Sequence, residues 1–418
     1  IDFAGILGQC SPEELQHLRT AVLYGEDGGS VPGTVAGKLA EPFSRLLARP
    51  EMREDAGSGD APCLLFTTSG TTRGPKMVLH RQATLLRHAH NVARQWELDA
   101  GKRFLLLPPL CGVYGFCGAL AALVAESLLV LEPAWTVPQA GDLIEQHRIT
   151  HFAAANETVA ALLDARREPG AFRSLQLVGS AEFSPAHTDV AQRAAERGLA
   201  VAGLYGSSEL QALFVLRPAD APPELRGRAG GRPASPLAEV RTRDPETQRL
   251  CAPGEPGELE FKAPESAFAQ YFNDPAATQA AFTEDGWFRS GDLGVLDGDG
   301  SSFTFLARMG DTLRLGGFLV SPAEIEAVVQ EHPAVESCQV VAARSREGLR
   351  PVAFVVAREG RDVPEQEVIA HVAGRLARYK VPVRVIAVEA FPTTVSANGT
   401  KVQKGKLRDM AETVLAQG

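Results

Sequence analysis

Apolar positions recur along this chain with two alternating periods. Short apolar runs at residues 104–108, 127–131, 149–154 and 175–179 predict buried strands. Between them, Leu85, Ala89, Val92 and Trp96 recur at helical spacing, residues 117–125 are apolar enough for a buried helix, and residues 141–147 and 157–165 predict two more. Strands that alternate with helices predict an α/β fold with a doubly wound, mostly parallel sheet. Ligands of such sheets gather at the carboxyl ends of the strands. Nearer the front, Ser11 ahead of Pro12, Glu13 and Glu14 predicts a capped helix, and residues 20–24 a short strand.

The texture changes from residue 224, where Gly, Pro and short β-rich runs such as 257–262 and 303–306 predict a β-rich subdomain. Beyond residue 310 the pattern predicts a small α+β domain. It has a helix at 322–330, strands at 337–342 and 352–356, and a helix at 364–379 with Val368, Val372, Leu376 and Tyr379 on one face. The expected division is a large N-terminal domain, residues 1–309, and a small mobile C-terminal domain, residues 310–418.

One stretch stands out chemically. Residues 63–80, CLLFTTSGTTRGPKMVLH, read as a buried strand, a loop rich in hydroxyls and glycine with one lysine, and a helix. Such a loop offers backbone N–H groups and hydroxyls to a phosphate, and Lys76 adds a point charge. A polar turn between strand and helix is the other reading. Measured from Gly70, Lys76 has Walker A spacing, but Pro75 replaces the second glycine and Met77 the magnesium-binding hydroxyl. A P-loop NTPase is thereby disfavoured.

Composition narrows the partners. The chain has 418 residues, 44% hydrophobic and 22% charged, with a formal net charge of −9. That suits a soluble protein of two or three domains and argues against nucleic acid or an anionic membrane as partner. No apolar run is long enough for a membrane span. Six cysteines without a CxxC pair indicate neither zinc nor a disulfide framework, and fit a reducing cytoplasm. The sequence opens Ile-Asp-Phe without an initiator methionine.

Downstream of the loop come Tyr205-Gly-Ser-Ser-Glu209, Gly286-Trp-Phe-Arg-Ser-Gly-Asp292, Arg308, Val320-Ser-Pro-Ala-Glu-Ile-Glu326, Tyr379-Lys-Val-Pro and Asn398-Gly-Thr-Lys401. In this order and spacing they resemble the acyl-adenylate-forming (AMP-binding) superfamily, most of all its acyl- and aryl-CoA synthetases. The resemblance runs from about residue 20 to the C-terminus. It implies that the family's first subdomain normally extends further upstream of the phosphate loop than this sequence does.

The resemblance implies roles. Thr67, Ser69, Gly70, Thr71, Thr72 and Lys76 would hold the ATP phosphates. Tyr205 would stack on adenine, with Ala181, Glu182 and Phe183 over its other face and Gly206 and Ser207 nearby. Ser208 would bind phosphate, and Glu209 would ligate Mg²⁺, a hard cation suited to carboxylate and phosphate oxygens. Asp292 and Arg308 would hold the ribose. Lys401 would neutralise charge as a carboxylate attacks the α-phosphate; Lys404 is the alternative in that lysine-rich tail. Cys111, Gly112, Tyr114, Gly179 and Gly203 would line the acid pocket. Gly310 would be the hinge between domains, and Gly316 and Gly317 the channel for the thiol arm, for which a plain tight turn is the other reading.

Several positions depart from the family pattern. Arg73 and Met77 stand where glycine is frequent, Ser208 and Ser290 replace threonines, Thr400 precedes Lys401 where glycine is usual, and Gly310 takes a hinge position often held by Asp or Lys. Gly112 replaces a bulky gate residue, which suggests a roomier pocket. No acid stands near Cys111 to pair an α-ammonium, so the substrate implied is a carboxylic acid without an α-amine, aliphatic or aromatic.

The reaction implied has two steps, with ATP, Mg²⁺ and CoA as cofactors and co-substrates. A carboxylate attacks ATP to give acyl-AMP, and a thiol then displaces AMP. The alternatives are an acyl-AMP ligase that loads a carrier protein and a nucleotide-binding regulator without turnover.

Overall fold

The structure is a computed structural model. It describes residues 3–24, 31–51, 57–68, 76–168, 170–183, 187–298, 300–310, 312–315, 318–345, 348–396 and 399–417. The chain divides into two compact units, 1–57 and 58–418.

The first unit holds α1 (Phe3–Gly8), β1 (Thr20–Leu23), β2 (Thr34–Val35), β3 (Lys38–Pro42) and α2 (Phe43–Leu47), with the strands in the order β1-β3-β2. The helix expected after Ser11 does not form. Ser11 and Glu14 exchange both bonds of a capping box, at 3.3 and 2.7 Å, yet residues 12–17 make only consecutive turns. A helix nucleus is costly, and the extended chain from Thr20 leaves too few residues to offset it.

The second unit begins with β4 (Pro62–Thr67) and β5 (Met77–Arg81), followed by α3 (Gln82–Gln95). Then come β6 (Arg103–Leu106), α4 (Val113–Val124), β7 (Leu128–Leu131), α5 (Val137–Gln146), β8 (His151–Ala155), α6 (Asn156–Ala165), β9 (Leu177–Ala181), α7 (Val190–Ala195) and β10 (Val201–Ser207). This is the alternation predicted from the apolar pattern, and β7-β6-β8-β9-β10 are all parallel.

The sheet then continues without a break into antiparallel strands. They are β11 (Gln211–Leu216), β12 (Gly230–Pro233), β13 (Glu239–Arg243), β14 (Gly257–Lys262), β16 (Phe288–Leu296) and β17 (Phe303–Arg308). The full order is β13-β14-β16-β17-β12-β11-β10-β9-β8-β6-β7. The predicted β-rich subdomain is thus the antiparallel half of one eleven-stranded sheet. Apart from it, β15 (Gln270–Tyr271), which precedes α8 (Pro275–Ala280), joins β5 and β4 in a three-stranded sheet.

That small sheet corrects the expected strand–loop–helix at 63–80. Residues 69–75 lie outside the described residues, among them Ser69, Gly70, Thr71 and Thr72. The flanks form an antiparallel hairpin, with Thr67 opposite Met77 and Phe66 opposite Val78. Of β4 only Phe66 is buried, so the strand is not the buried one predicted. Val78, Leu79 and His80 are buried in β5 instead, and a strand paired on both edges needs no helical continuation until Gln82.

Apolar side chains cover both faces of the parallel half. Trp96, Phe104 and Leu204 pack on the α3–α4 side, and Ile144, Phe152 and Leu162 on the α5–α6 side. Among the described residues, no helix is long and apolar enough to cross a membrane. Buried histidines tune this core to pH. Burial pushes the pKa values of His88 and His151 down to about 4 and lowers that of His80. Unfolded histidines titrate near 6.5, so the unfolded chain binds more protons in the window from about 6.5 down to about 4, and stability falls with pH there. Urea midpoints measured at about pH 7 and about pH 4.5 should differ in that direction, and His88→Gln should flatten the fall.

The small domain comprises β18 (Leu313–Leu315), β19 (Phe318–Val320), α9 (Pro322–Gln330), β20 (Val335–Ser345), β21 (Gly348–Ala357), α10 (Glu365–Ala373), β22 (Arg384–Ala387), β23 (Thr393–Ser396), β24 (Gly399–Val402) and α11 (Lys404–Gln417). The helix expected to run to Tyr379 stops at Ala373, where Gly374 caps it, and a separate 3₁₀ turn spans Arg378–Lys380. Leu376 and Tyr379 still pack on the domain's core.

Candidate active site

The predicted ribose residues meet across one strand pair. Asp292 in β16 lies opposite Arg308 in β17, and Arg308 Nε is 3.0 Å from Asp292 Oδ1. Tyr205 donates its hydroxyl to Asp292 Oδ2 at 2.6 Å. Asp292 is buried, whereas the Arg308 side chain is 55% exposed. Burial pushes the Asp292 carboxyl above its ordinary pKa, and Arg308 and the Tyr205 hydroxyl pull it back. The Tyr205 hydroxyl is itself raised by burial and then by Asp292.

The resemblance implied that a face of Tyr205 is open to adenine. Here the ring is only 7% exposed. Phe261 is stacked against it at 5.8 Å, Phe305 lies tilted at 5.9 Å, and Phe303 is edge-on at 5.1 Å. What the ring does in this structure is deliver a hydroxyl to Asp292. Glu182, expected over the adenine, instead accepts the Ala229 N–H at 3.0 Å and lies 3.4 Å from Arg228. Ala181 is buried in β9, which leaves Phe183 as the exposed member of that trio. Gly206 is exposed, and Ser207 Oγ accepts the Leu210 N–H at 3.2 Å.

At the end expected to hold phosphate, the mouth of the β4–β5 hairpin is closed by two bonds. Thr68 N donates to Lys76 O at 2.9 Å, and Lys76 N donates to Thr68 Oγ1 at 3.0 Å. Lys76 Nζ sits 4.4 Å from the centroid of the Tyr271 ring, and the Tyr271 hydroxyl donates to Glu209 Oε1 at 2.8 Å. The Glu209 carbonyl accepts the Phe268 N–H at 2.7 Å, and the Ser208 carbonyl lies 2.7 Å from His80 Nε2, which must donate to it. Two of the chain's five tyrosines therefore end on the two candidate site carboxylates.

Sequence reasoning missed Tyr271 and His80. Tyr271 lies in a two-residue strand without a pattern of its own, and His80 reads as a hairpin residue until Ser208 is seen opposite it. Glu209 suits Mg²⁺ as a half-buried carboxylate with one oxygen held in place. No group of three or more His, Cys, Asp or Glu among the described residues could hold a metal. A cation here would need nucleotide oxygens and water as well.

The parallel strand order reverses at β6, which lies between β7 and β8, and this marks the crevice of a doubly wound sheet. Residues 107–112, after β6, border it. Cys111 is exposed, Gly112 is the N-cap of α4, and Gly115 brings α4 so close to that loop that a Cβ would lie 2.2 Å from Pro109 O. Tyr114 donates to Ala154 O at 3.1 Å and meets the Phe183 ring edge-on at 6.4 Å. Asn156, just after β8, accepts the Phe183 N–H at 3.2 Å and donates to His187 O at 3.3 Å, which ties both of these residues to the start of α6.

Gly179 and Gly203, expected to line the acid pocket, are tightly packed positions. A Cβ on Gly179 would lie 2.4 Å from Trp96 Cη2, and one on Gly203 would lie 2.0 Å from Arg228 O. Both are glycine because neighbours press on the strand. Gly179→Ala should therefore cost about 1–3 kcal/mol through overpacking. The check is a denaturant midpoint, with an unchanged profile of accepted acids.

In the small domain, the Gly310 carbonyl lies 3.5 Å from Arg408 Nη2, and Gly316 and Gly317 fall outside the described residues. Lys401 lies in β24 opposite Thr394. Lys404, the alternative catalytic lysine, pairs at 3.4 Å with the buried Glu326, whose Oε1 also accepts the Val340 N–H at 2.8 Å. That pair docks the start of α11 on the domain core and commits Lys404 to structure.

A model of the family described as AMP-binding enzyme matches residues 10–272, and its C-terminal domain matches residues 324–398. The chain belongs to the AMP-binding enzyme family. It is 32% identical over 392 residues to a feruloyl-CoA synthase from Amycolatopsis sp, covering 92% of this chain and 77% of that one. It is 29% identical over 352 residues to the 2-succinylbenzoate–CoA ligase of Bacillus subtilis (strain 168), covering 84% and 69%. Among solved structures, the O-succinylbenzoate coenzyme A synthetase of Bacillus subtilis in complex with ATP and magnesium ion superposes with a TM-score of 0.79 at 25% identity, covering 96% of this chain and 82% of that one. The family fold, a large sheet-rich domain followed by a smaller C-terminal one, is thus present. The family that the sequence resembles is thus the family to which the chain belongs.

Proposed function

We infer that this chain is an AMP-forming acid–thiol ligase that joins a carboxylic acid to CoA. The observation that carries the reading is the facing pair of Asp292 and Arg308, with Tyr205 bonded to the same carboxylate. A buried carboxylate beside an exposed guanidinium offers acceptor and donor to vicinal hydroxyls, as a ribose requires. The second support is the placement of Lys76 and Glu209 around Tyr271, which brings together a cation and an acid of the kinds a triphosphate and its metal require.

In the first step a carboxylate oxygen of the acid attacks the α-phosphorus, and the bond from phosphorus to the pyrophosphate oxygen breaks. Lys76 and the 67–76 loop bind the departing pyrophosphate, Asp292 and Arg308 hold the ribose, and Lys401 neutralises charge at the reacting phosphate. Mg²⁺ bound by Glu209 and phosphate oxygens would supply charge neutralisation for the triphosphate. In the second step the CoA thiol, losing its proton, attacks the acyl carbon and AMP leaves. Gathering acid and nucleotide in one cleft removes much of the entropic barrier.

The acid we favour is aromatic or arylalkanoic. Phe183 and Tyr114 put two rings at the crevice, and relatives are named for ferulate and 2-succinylbenzoate. Pyrophosphate exchange across a panel of carboxylic acids tests the reading, followed by thioester assays with CoA and with a pantetheinylated carrier protein. Acid-dependent exchange supports it, and nucleotide binding without exchange for any acid would favour a regulator. A thioester formed only on the carrier would replace CoA as acceptor.

A further inference from the structure

We propose that Tyr271 is the positioning residue that sets Lys76 and Glu209 for the metal–triphosphate group, an inference that rests on the function given above. Lys76 carries positive charge and Glu209 negative charge, and a direct ion pair between them would consume both groups before a nucleotide arrived. The structure separates them with one aromatic ring. Lys76 Nζ lies 4.4 Å from the ring centroid, within the reach of a cation–π contact. The hydroxyl at the ring's other end holds Glu209 Oε1 at 2.8 Å. One carboxylate oxygen is thereby fixed, and the group's orientation toward a cation is set by a bond rather than left to rotamers.

The ring is well held for this task. Tyr271 is 5% exposed and pairs with Val78 of β5. Its ring lies 4.8 Å from Phe268, and its N–H donates to Thr278 Oγ1 at 2.9 Å. Through β5 it is tied to the same hairpin that carries Lys76. Through Phe268, whose N–H bonds the Glu209 carbonyl, it is tied to the Glu209 backbone. Hairpin lysine and acidic residue thus share one support.

Tyr271→Phe removes the hydroxyl and keeps the ring, whereas Tyr271→Leu removes both. Calorimetric titration with ATP in the presence and absence of Mg²⁺, and with AMP, separates the roles, because AMP engages Asp292 and Arg308 but lacks the triphosphate. Tyr271→Phe should weaken Mg·ATP binding about 5- to 10-fold, the scale of one typical hydrogen bond, and leave AMP binding unchanged. Tyr271→Leu should weaken Mg·ATP further. In a Glu209→Gln background the additional loss from Tyr271→Phe should shrink.

Unchanged Mg·ATP binding in Tyr271→Phe would overturn the proposal. So would an equal loss of AMP binding in both variants, which would mark Tyr271 as a general structural residue. Failure of the wild-type chain to bind Mg·ATP at all would instead overturn the ligase reading, and this inference with it.

Discussion

Lys401→Ala should reduce acyl-AMP formation by about 100- to 1000-fold, the scale seen when one charge-stabilising group is removed from a reacting centre. Thioester formation from supplied acyl-AMP should survive. The expectation rests on the register of the tail. Lys404 is held against buried Glu326, which assigns that lysine to the domain core. Pyrophosphate exchange measures the first half-reaction and thioester release from synthetic acyl-AMP the second. Equal losses in both would remove Lys401 from the adenylation step, and full exchange in the variant would return the role to Lys404.

The second large effect is at Asp292. Asp292→Asn keeps the shape but removes the charge that Arg308 faces and weakens the acceptor for Tyr205. Hydrogen bonds to charged groups are worth about 1.5–3 kcal/mol, so AMP affinity should fall about 10- to 100-fold. Tyr205→Phe should act in the same direction by a smaller factor, since it removes only the bond that orients the carboxylate. Titration with AMP reads both. A variant at Asp292 that binds AMP as well as the wild type would exclude it from the ribose site.

The parallel half of the sheet was legible because its signals are local. Leu85, Ala89, Val92 and Trp96 announce a helix by their spacing, and runs such as 149–154 announce a buried strand. The hairpin at 63–80 was not, because its partner is Gln270–Tyr271, far along the chain, and no window over Met77–Arg81 contains that information. Asp292 and Arg308 were singled out by motif, and the structure brings them together. The surroundings of Glu182 and Gly179 were not legible for one shared reason. Each is decided by a neighbour distant in sequence, Arg228 and Ala229 for the first and Trp96 for the second. Tyr271 escaped notice because its importance arises only from what lies at either end of its ring.

The continuous eleven-stranded sheet has one more consequence. Its parallel half borders the crevice where the acid is proposed to bind, and its antiparallel half holds Asp292 and Arg308. Inheritance can therefore act on the two separately. Substitutions accumulating in residues 107–114 and 181–183 would alter the proposed acid crevice while the proposed nucleotide grip persisted, so descendants of one ancestral ligase could diverge in diet without reinventing how they spend ATP.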